Sequence, residues 1–295
     1  MKRILFCLGL FILLVSNNSI QAQSALDAED DNQFANFYAK TLTKEKRAMP
    51  YAYLRENDVV WETVIWRTID FREKFNQFMY FPTDPEKNTQ GRINLVNCIM
   101  KALENGDFEV YDNDEFKGAP IDYETLMGTL NRESTIHVPV YDEYGDELDG
   151  YDTIVREEFD PADVYSCELK EHWYIDKQDT RQKVRIVGLA LVYNYCRDRD
   201  GDRECSPVRL FWIPMNDMRV RNVLVTANSY DENNNNAERT YDDVFITRYF
   251  DSFVTRETNR FNRSIGSYLT GTDAILESQY VEDKIFNIES DMWEY

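Results

Sequence analysis

The stretch 184-VRIVGLALVYNYCRDRDGDRECSPVRLFWIP-214 decides the fold. Its first part, through Tyr195, is apolar in both alternating registers, as expected of a strand covered on both faces. "PVRLFWIP" is strand-like again, so residues 184–213 read as an antiparallel hairpin with the charged run between the two halves at its tip. Cys196 and Cys205 then fall at facing strand ends, where Cα atoms about 5.5 Å apart are within disulfide reach. On a chain-entropy model, closing so small a loop stabilises by about 2 to 3 kcal/mol. A calcium loop is the competing reading, because Asp198, Asp200 and Asp202 occupy positions 1, 3 and 5 of an EF-hand-like pattern. Position 6 is Arg203 instead of Gly, and position 12 is Arg209 instead of a bidentate Glu, so half the ligand set is missing and the disulfide is the stronger reading.

Upstream, "FEVYDNDEF", "STIHVPVYDEYGDELDGYDTIVREEFD" and "HWYIDKQDTRQKVRIVGLALVYNY" are rich in β-branched and aromatic residues separated by turn signals, and they read as strands. Further upstream, "DVVWETVIWRTIDFREKFN" places Trp61, Val64, Ile65, Thr68, Ile69 and Phe75 near helical spacing with Asp58 as N-cap, which predicts a helix stopped by "YFPTDP". "INLVNCIMKALENG" predicts a second helix closed by Gly106. Downstream of the Asn-rich loop "NSYDENNNNAE", helical spacing returns: Phe245, Tyr249, Phe253, Phe261, Ile265 and Tyr268 fall mainly on one face. A final helix follows, with Thr272 as N-cap and Ile275, Leu276, Ile285, Ile288 and Trp293 apolar. The expected architecture is α+β: a central antiparallel sheet from 107–226, flanked by helices at 58–106 and 240–295, in a single domain spanning 58–295.

The beginning of the chain has another character. Lys2 and Arg3 precede an apolar run from Ile4 to Val15, then a polar stretch and Ala22. This is the order of a secretory signal peptide over 1–22, too short for a bilayer span, and it predicts export. Residues 23–57 are acidic, then basic around "KTLTKEKR", with few apolar positions; they read as an extended or loosely helical arm that gains order against a partner. Loss of Lys2 and Arg3 with the signal would take the net charge from −21 to −23. So negative a surface argues against nucleic-acid or anionic-lipid binding, and no later stretch is apolar enough to span. Cys98, Cys167, Cys196 and Cys205 remain after export, an even number that invites pairing, with the last two the local pair.

Chemistry finds little material. His137 and His172 sit in neither a His-Glu-x-x-His helix nor a Gly-x-Ser-x-Gly turn, no Cys-x-x-Cys is present, and glycines are scattered. Each histidine reads as a strand-edge hydrogen-bonding residue. Acidic pairs that would suit a glycosidase are numerous without any one standing out, and aromatic residues that would stack sugars are more often core or interface. No catalytic residue and no cofactor is predicted.

The blocks "LRENDVVWETVIWRTIDFREKFNQFMYFP", "EHWYIDKQDTRQKVRIVGLA", "LFWIPMNDMR" and the run from "YDDVFITRYF" through the terminal "DMWEY", in this order, resemble the GldN/PorN family of the type IX secretion and gliding-motility apparatus. The resemblance extends from about residue 50 to the C-terminus. It implies a non-enzymatic periplasmic subunit that builds a large ring under the outer membrane with a GldK/PorK-type lipoprotein. That ring connects to the inner-membrane motor GldL/GldM (PorM-type), and the assembly serves protein export and gliding. The family carries over no catalytic residues. Within that expectation the arm and the terminal helix reach neighbouring subunits, and Trp66, Phe71 and Trp293 are candidate interface anchors, with burial in the core as the competing reading of each. The alternative function is a periplasmic carbohydrate- or peptidoglycan-binding protein or glycosidase.

Overall fold

The computed structural model describes residues 47–84, 92–141, 147–157, 159–178, 181–199, 202–231, 234 and 238–293, with backbone alone in those of 132–157, 196–204 and 292–293. The predicted signal peptide and the arm up to residue 46 lie outside them. Among the described residues seven strands form: β1 (Val59–Asp70), β2 (Arg132–Tyr141), β3 (Glu147–Glu157), β4 (Val164–Asp176), β5 (Gln182–Arg199), β6 (Asp202–Pro214) and β7 (Phe253–Glu257). Six α-helices accompany them among the same residues: α1 (Gln77–Tyr80), α2 (Leu95–Glu104), α3 (Tyr123–Leu130), α4 (Met218–Thr226), α5 (Tyr241–Thr247) and α6 (Thr272–Trp293). The fold is α+β. A five-stranded antiparallel sheet runs in the order β6-β5-β4-β1-β7, and β2 pairs with β3 in a separate two-stranded sheet.

The helix expected from Asp58 is instead β1. Seven of its twelve residues are β-branched, which lose rotamer freedom in a helix and pack well on a pleated surface. Burial alternates through its second half, with Ile65, Arg67 and Ile69 inward. Trp and Ile spacing satisfies both periods; pairing with β4 on one side and β7 on the other selects the extended form. Asp58 ends a short 3-10 turn, and its carbonyl accepts from the Lys177 N–H. The continuous helical region expected over 240–268 also breaks: α5 stops at Arg248, which adopts φ 55°, and Phe253–Glu257 form the edge strand β7. The sheet therefore recruits strands from both flanks of the 107–226 region assigned to it from sequence.

Helix α2 forms where predicted. Asn94 caps it by accepting from the Asn97 N–H, and Gly106 at φ 74° closes it. There the Asp107 N–H reaches the Ala102 carbonyl and the Gly106 N–H that of Leu103, a Schellman arrangement open to Gly because it lacks a Cβ. Helix α4 is absent from the sequence reading; Asp217 caps it by accepting from the Arg219 N–H.

One sheet face carries the main core: Ile69, Cys167, Leu169, Leu189, Leu191, Phe211 and Ile213 cluster with Leu95 and Ile99 of α2, Val220 and Leu224 of α4, and Val244 and Phe245 of α5. A smaller cluster joins Ile65 and Val254 to Ile265 and to Val281 and Ile285 of α6. The segment around Tyr111–Phe116 approaches the opposite face. Tyr111 bridges Trp212, and a Cβ at Gly188 would lie 2.9 Å from the Phe116 ring. Residues 188–192 are thus buried on both faces, as the doubly apolar pattern requires.

Candidate functional site

A cleft of about 840 Å³ extends from the β7 edge of the sheet across to β6. Its walls are β7, the segment 262–267 and the first turns of α6, and Trp66 and Trp212 belong to its lining. Trp66 stands between its two register partners, Lys170 on β4 and Arg256 on β7. The Arg256 guanidinium lies 3.5 Å from the ring centroid and the Lys170 Nζ 5.6 Å from it. The Trp66 indole N–H donates to Asp114 at 3.0 Å, and Asp114 also holds Arg256 at 3.1 Å and Lys170 at 3.5 Å. Burial alone would raise the Asp114 pKa, but Lys170, the indole N–H and Arg256 together hold the carboxyl below its usual range.

Two further guanidiniums line the cleft. Arg209 pairs with Glu168 at 2.5 Å and lies 5.2 Å over Trp212. Arg263 is exposed and rests on Tyr268 at 4.2 Å and Phe261 at 5.1 Å; among the described residues no carboxylate pairs with it. Beside the cleft, α6 turns Ile275, Leu276, Tyr280 and Phe286 outward, each at least 60 % exposed. On a helical wheel these residues fall within one broad arc, away from the buried Ser278, Val281 and Ile285.

A third feature holds the residues entering the fold. Arg221, 1 % exposed, makes two hydrogen bonds of 2.9 Å to Asp242 and a third to the Met49 carbonyl. Tyr51 lies under its guanidinium at 4.5 Å and under that of Arg185 at 5.3 Å. Asn222 accepts from the Ala48 N–H, and Arg185 donates to the Ala52 carbonyl. The last residues assigned to the arm from sequence are therefore a strap bound to α4 and β5.

Of the candidate anchors, Trp66 belongs to the cleft and Phe71, 1 % exposed, to the core; Trp293 ends α6, and its side chain lies outside the described residues. For Phe71 the position matches the competing reading, burial in the core. Cys196 and Cys205 are register partners in the β5–β6 ladder. The ladder continues through Asp198 opposite Arg203 and Arg199 opposite Asp202, a course unlike a loop wrapped about an ion, while Asp200 lies outside the described residues. Cys98 and Cys167 are buried free thiols, so they do not pair. His172 meets Glu62 at 2.6 Å across β1 and β4, and His137 lies in β2 opposite Asp152. Among the described residues no cluster of His, Cys, Asp or Glu is arranged to hold a metal, and no helix is long and apolar enough to cross a membrane.

Nothing in the sequence singles out Arg263 and Arg256, because an arginine in an acidic chain looks like a solubilising residue until the fold gathers it with others. The family model for "Gliding motility associated protein GldN" matches residues 54–294. No curated protein matches the chain.

Proposed function

The chain belongs to the GldN family of gliding motility associated proteins, and from that premise we propose that it is a non-enzymatic ring subunit of the type IX secretion apparatus. In this reading it is exported to the periplasm and assembles with a GldK/PorK-type lipoprotein against the inner face of the outer membrane. The ring meets a GldM/PorM-type motor component, and protein export and gliding depend on it. The observation that carries the reading is the family match, which takes in the five-stranded sheet and every described helix. The outward apolar residues of α6 support it, since exposed apolar groups gathered on one helix mark a surface that another protein covers. A Cys196–Cys205 disulfide, consistent with their register and an oxidising compartment, belongs to the same reading.

The test is isolation of the native protein from detergent-extracted envelopes. Co-purification with an outer-membrane lipoprotein in ring-shaped particles visible by electron microscopy is expected. Ile275→Glu with Phe286→Glu should leave the monomer folded and reduce ring recovery. A chain that runs alone, is retained on peptidoglycan and cleaves it would overturn the reading in favour of a sugar-acting protein.

A further inference from the structure

We infer that the cleft at the β7 edge is a binding site for an acidic, extended peptide segment of a protein partner. The inference rests on the chain being a binding protein rather than an enzyme, and it assigns the chemistry of one contact.

Charge is the first argument. In a chain of net charge −21, the fold brings Arg209, Arg256 and Arg263 to one cleft. Asp114 and Glu168 balance two of them, and Arg263 has only aromatic rings beneath it. Stacking on Tyr268 and Phe261 leaves the edge N–H groups of Arg263 available, and a planar fork of donors suits a carboxylate. Arg256 adds an Nε atom that is buried and makes no hydrogen bond among the described residues.

Shape and composition are the second. Phe253, Val254, Ile265 and Ile275 give the cleft apolar walls beside the guanidiniums, so the occupant they fit alternates acidic and apolar side chains. The Val254 N–H is already taken by Ser278 Oγ at 2.8 Å, which closes the strand edge there. Recognition then runs through side chains rather than through strand addition. Trp66 and Trp212 are engaged by Arg256, Lys170 and Arg209, which disfavours a sugar stacked on either ring.

The experiment titrates the full chain into a fluorescein-labelled twelve-residue peptide alternating Asp or Glu with Phe or Leu, at low salt, read by fluorescence anisotropy. Saturable binding is expected, weakened about tenfold by Arg263→Glu and by salt, as charge-assisted contacts at a partly exposed site require. Ser264→Trp, which fills the cleft without changing charge, should weaken it at least as much. Both positions are exposed, and an unchanged melting temperature shows that each variant folds. Absence of binding at millimolar peptide, equal binding by the Asn/Gln version of the peptide, or wild-type affinity in both variants would overturn the assignment. Ring recovery is read separately: intact rings without peptide binding sink the cleft and leave the scaffold reading standing, whereas peptide binding without rings does the reverse.

Discussion

Arg67 of β1 and Glu171 of β4 meet at 3.1 Å, close as an ion pair though not aligned as a hydrogen bond, with the Glu171 side chain wholly buried. Arg248, in the left-handed conformation at the end of α5, reaches the other Glu171 oxygen, and the Trp173 indole N–H donates to the same carboxylate at 2.9 Å. Arg67 extends to Glu282 of α6 at 2.6 Å. Two strands and two helices thus share one buried charge cluster that interrupts the apolar face between the two core clusters.

Removing Glu171 deprives Arg248 of its carboxylate and leaves the buried Arg67 with Glu282 alone, a partner whose side chain is 40 % exposed. Glu171→Ala should cost about 3 to 5 kcal/mol in chemical denaturation, against a smaller loss for the paired replacement Arg67→Met with Glu171→Leu. Equal losses for the two would show that the charges are solvated.

The strap should detach when its clamp is cut. Arg221→Ala should cost about 3 kcal/mol or more, because Asp242 is left buried and unpaired. Amide exchange at residues 48–52 should accelerate more than in β4. Tyr51→Ala should free the strap at a milder cost of about 1 to 2 kcal/mol through lost cation–π contact. Unchanged exchange at 48–52 in both variants would refute the clamp.

Acid should loosen the Trp66 site. The Asp114 pKa is depressed in the folded protein, so its contribution is present above the unfolded carboxylate pKa, about 3.9, and is lost as pH falls through the lower folded value. Asp114→Asn should therefore flatten the fall in melting temperature below about pH 4 relative to wild type. Parallel curves for the two proteins would contradict that.

The cysteines divide by position. Burial pushes the Cys98 thiol pKa up to about 12, and that of Cys167 higher still. Both should resist iodoacetamide in the folded protein and react on unfolding. Mass spectrometry of the non-reduced protein should find Cys196 joined to Cys205, and free thiols at both would reject that pair.

Parts of this fold were legible because local pattern and tertiary demand agree. The β5–β6 hairpin follows from two apolar runs around a charged tip, α2 from its periodicity and the glycine after it, and α6 from apolar spacing after Thr272, which proves to be its first residue. The local pattern of β1 also fits a helix because Trp61, Ile65 and Ile69 satisfy a period of four as well as a period of two. The cleft left no trace in the sequence, since Trp66, Arg209, Arg256 and Arg263 come from separate segments that only strand pairing brings together.

By itself the sequence determined the α+β class, the β5–β6 hairpin, the acidic character and the family, since these depend on composition, local spacing and the order of blocks along the chain. Tertiary structure alone decided that residues 59–70 are a strand, that the strap from Ala48 to Ala52 closes on Arg221, and that three guanidiniums share one cleft. Each of these is a free-energy difference between competing contacts, and the contacts that decide it lie far away in the chain.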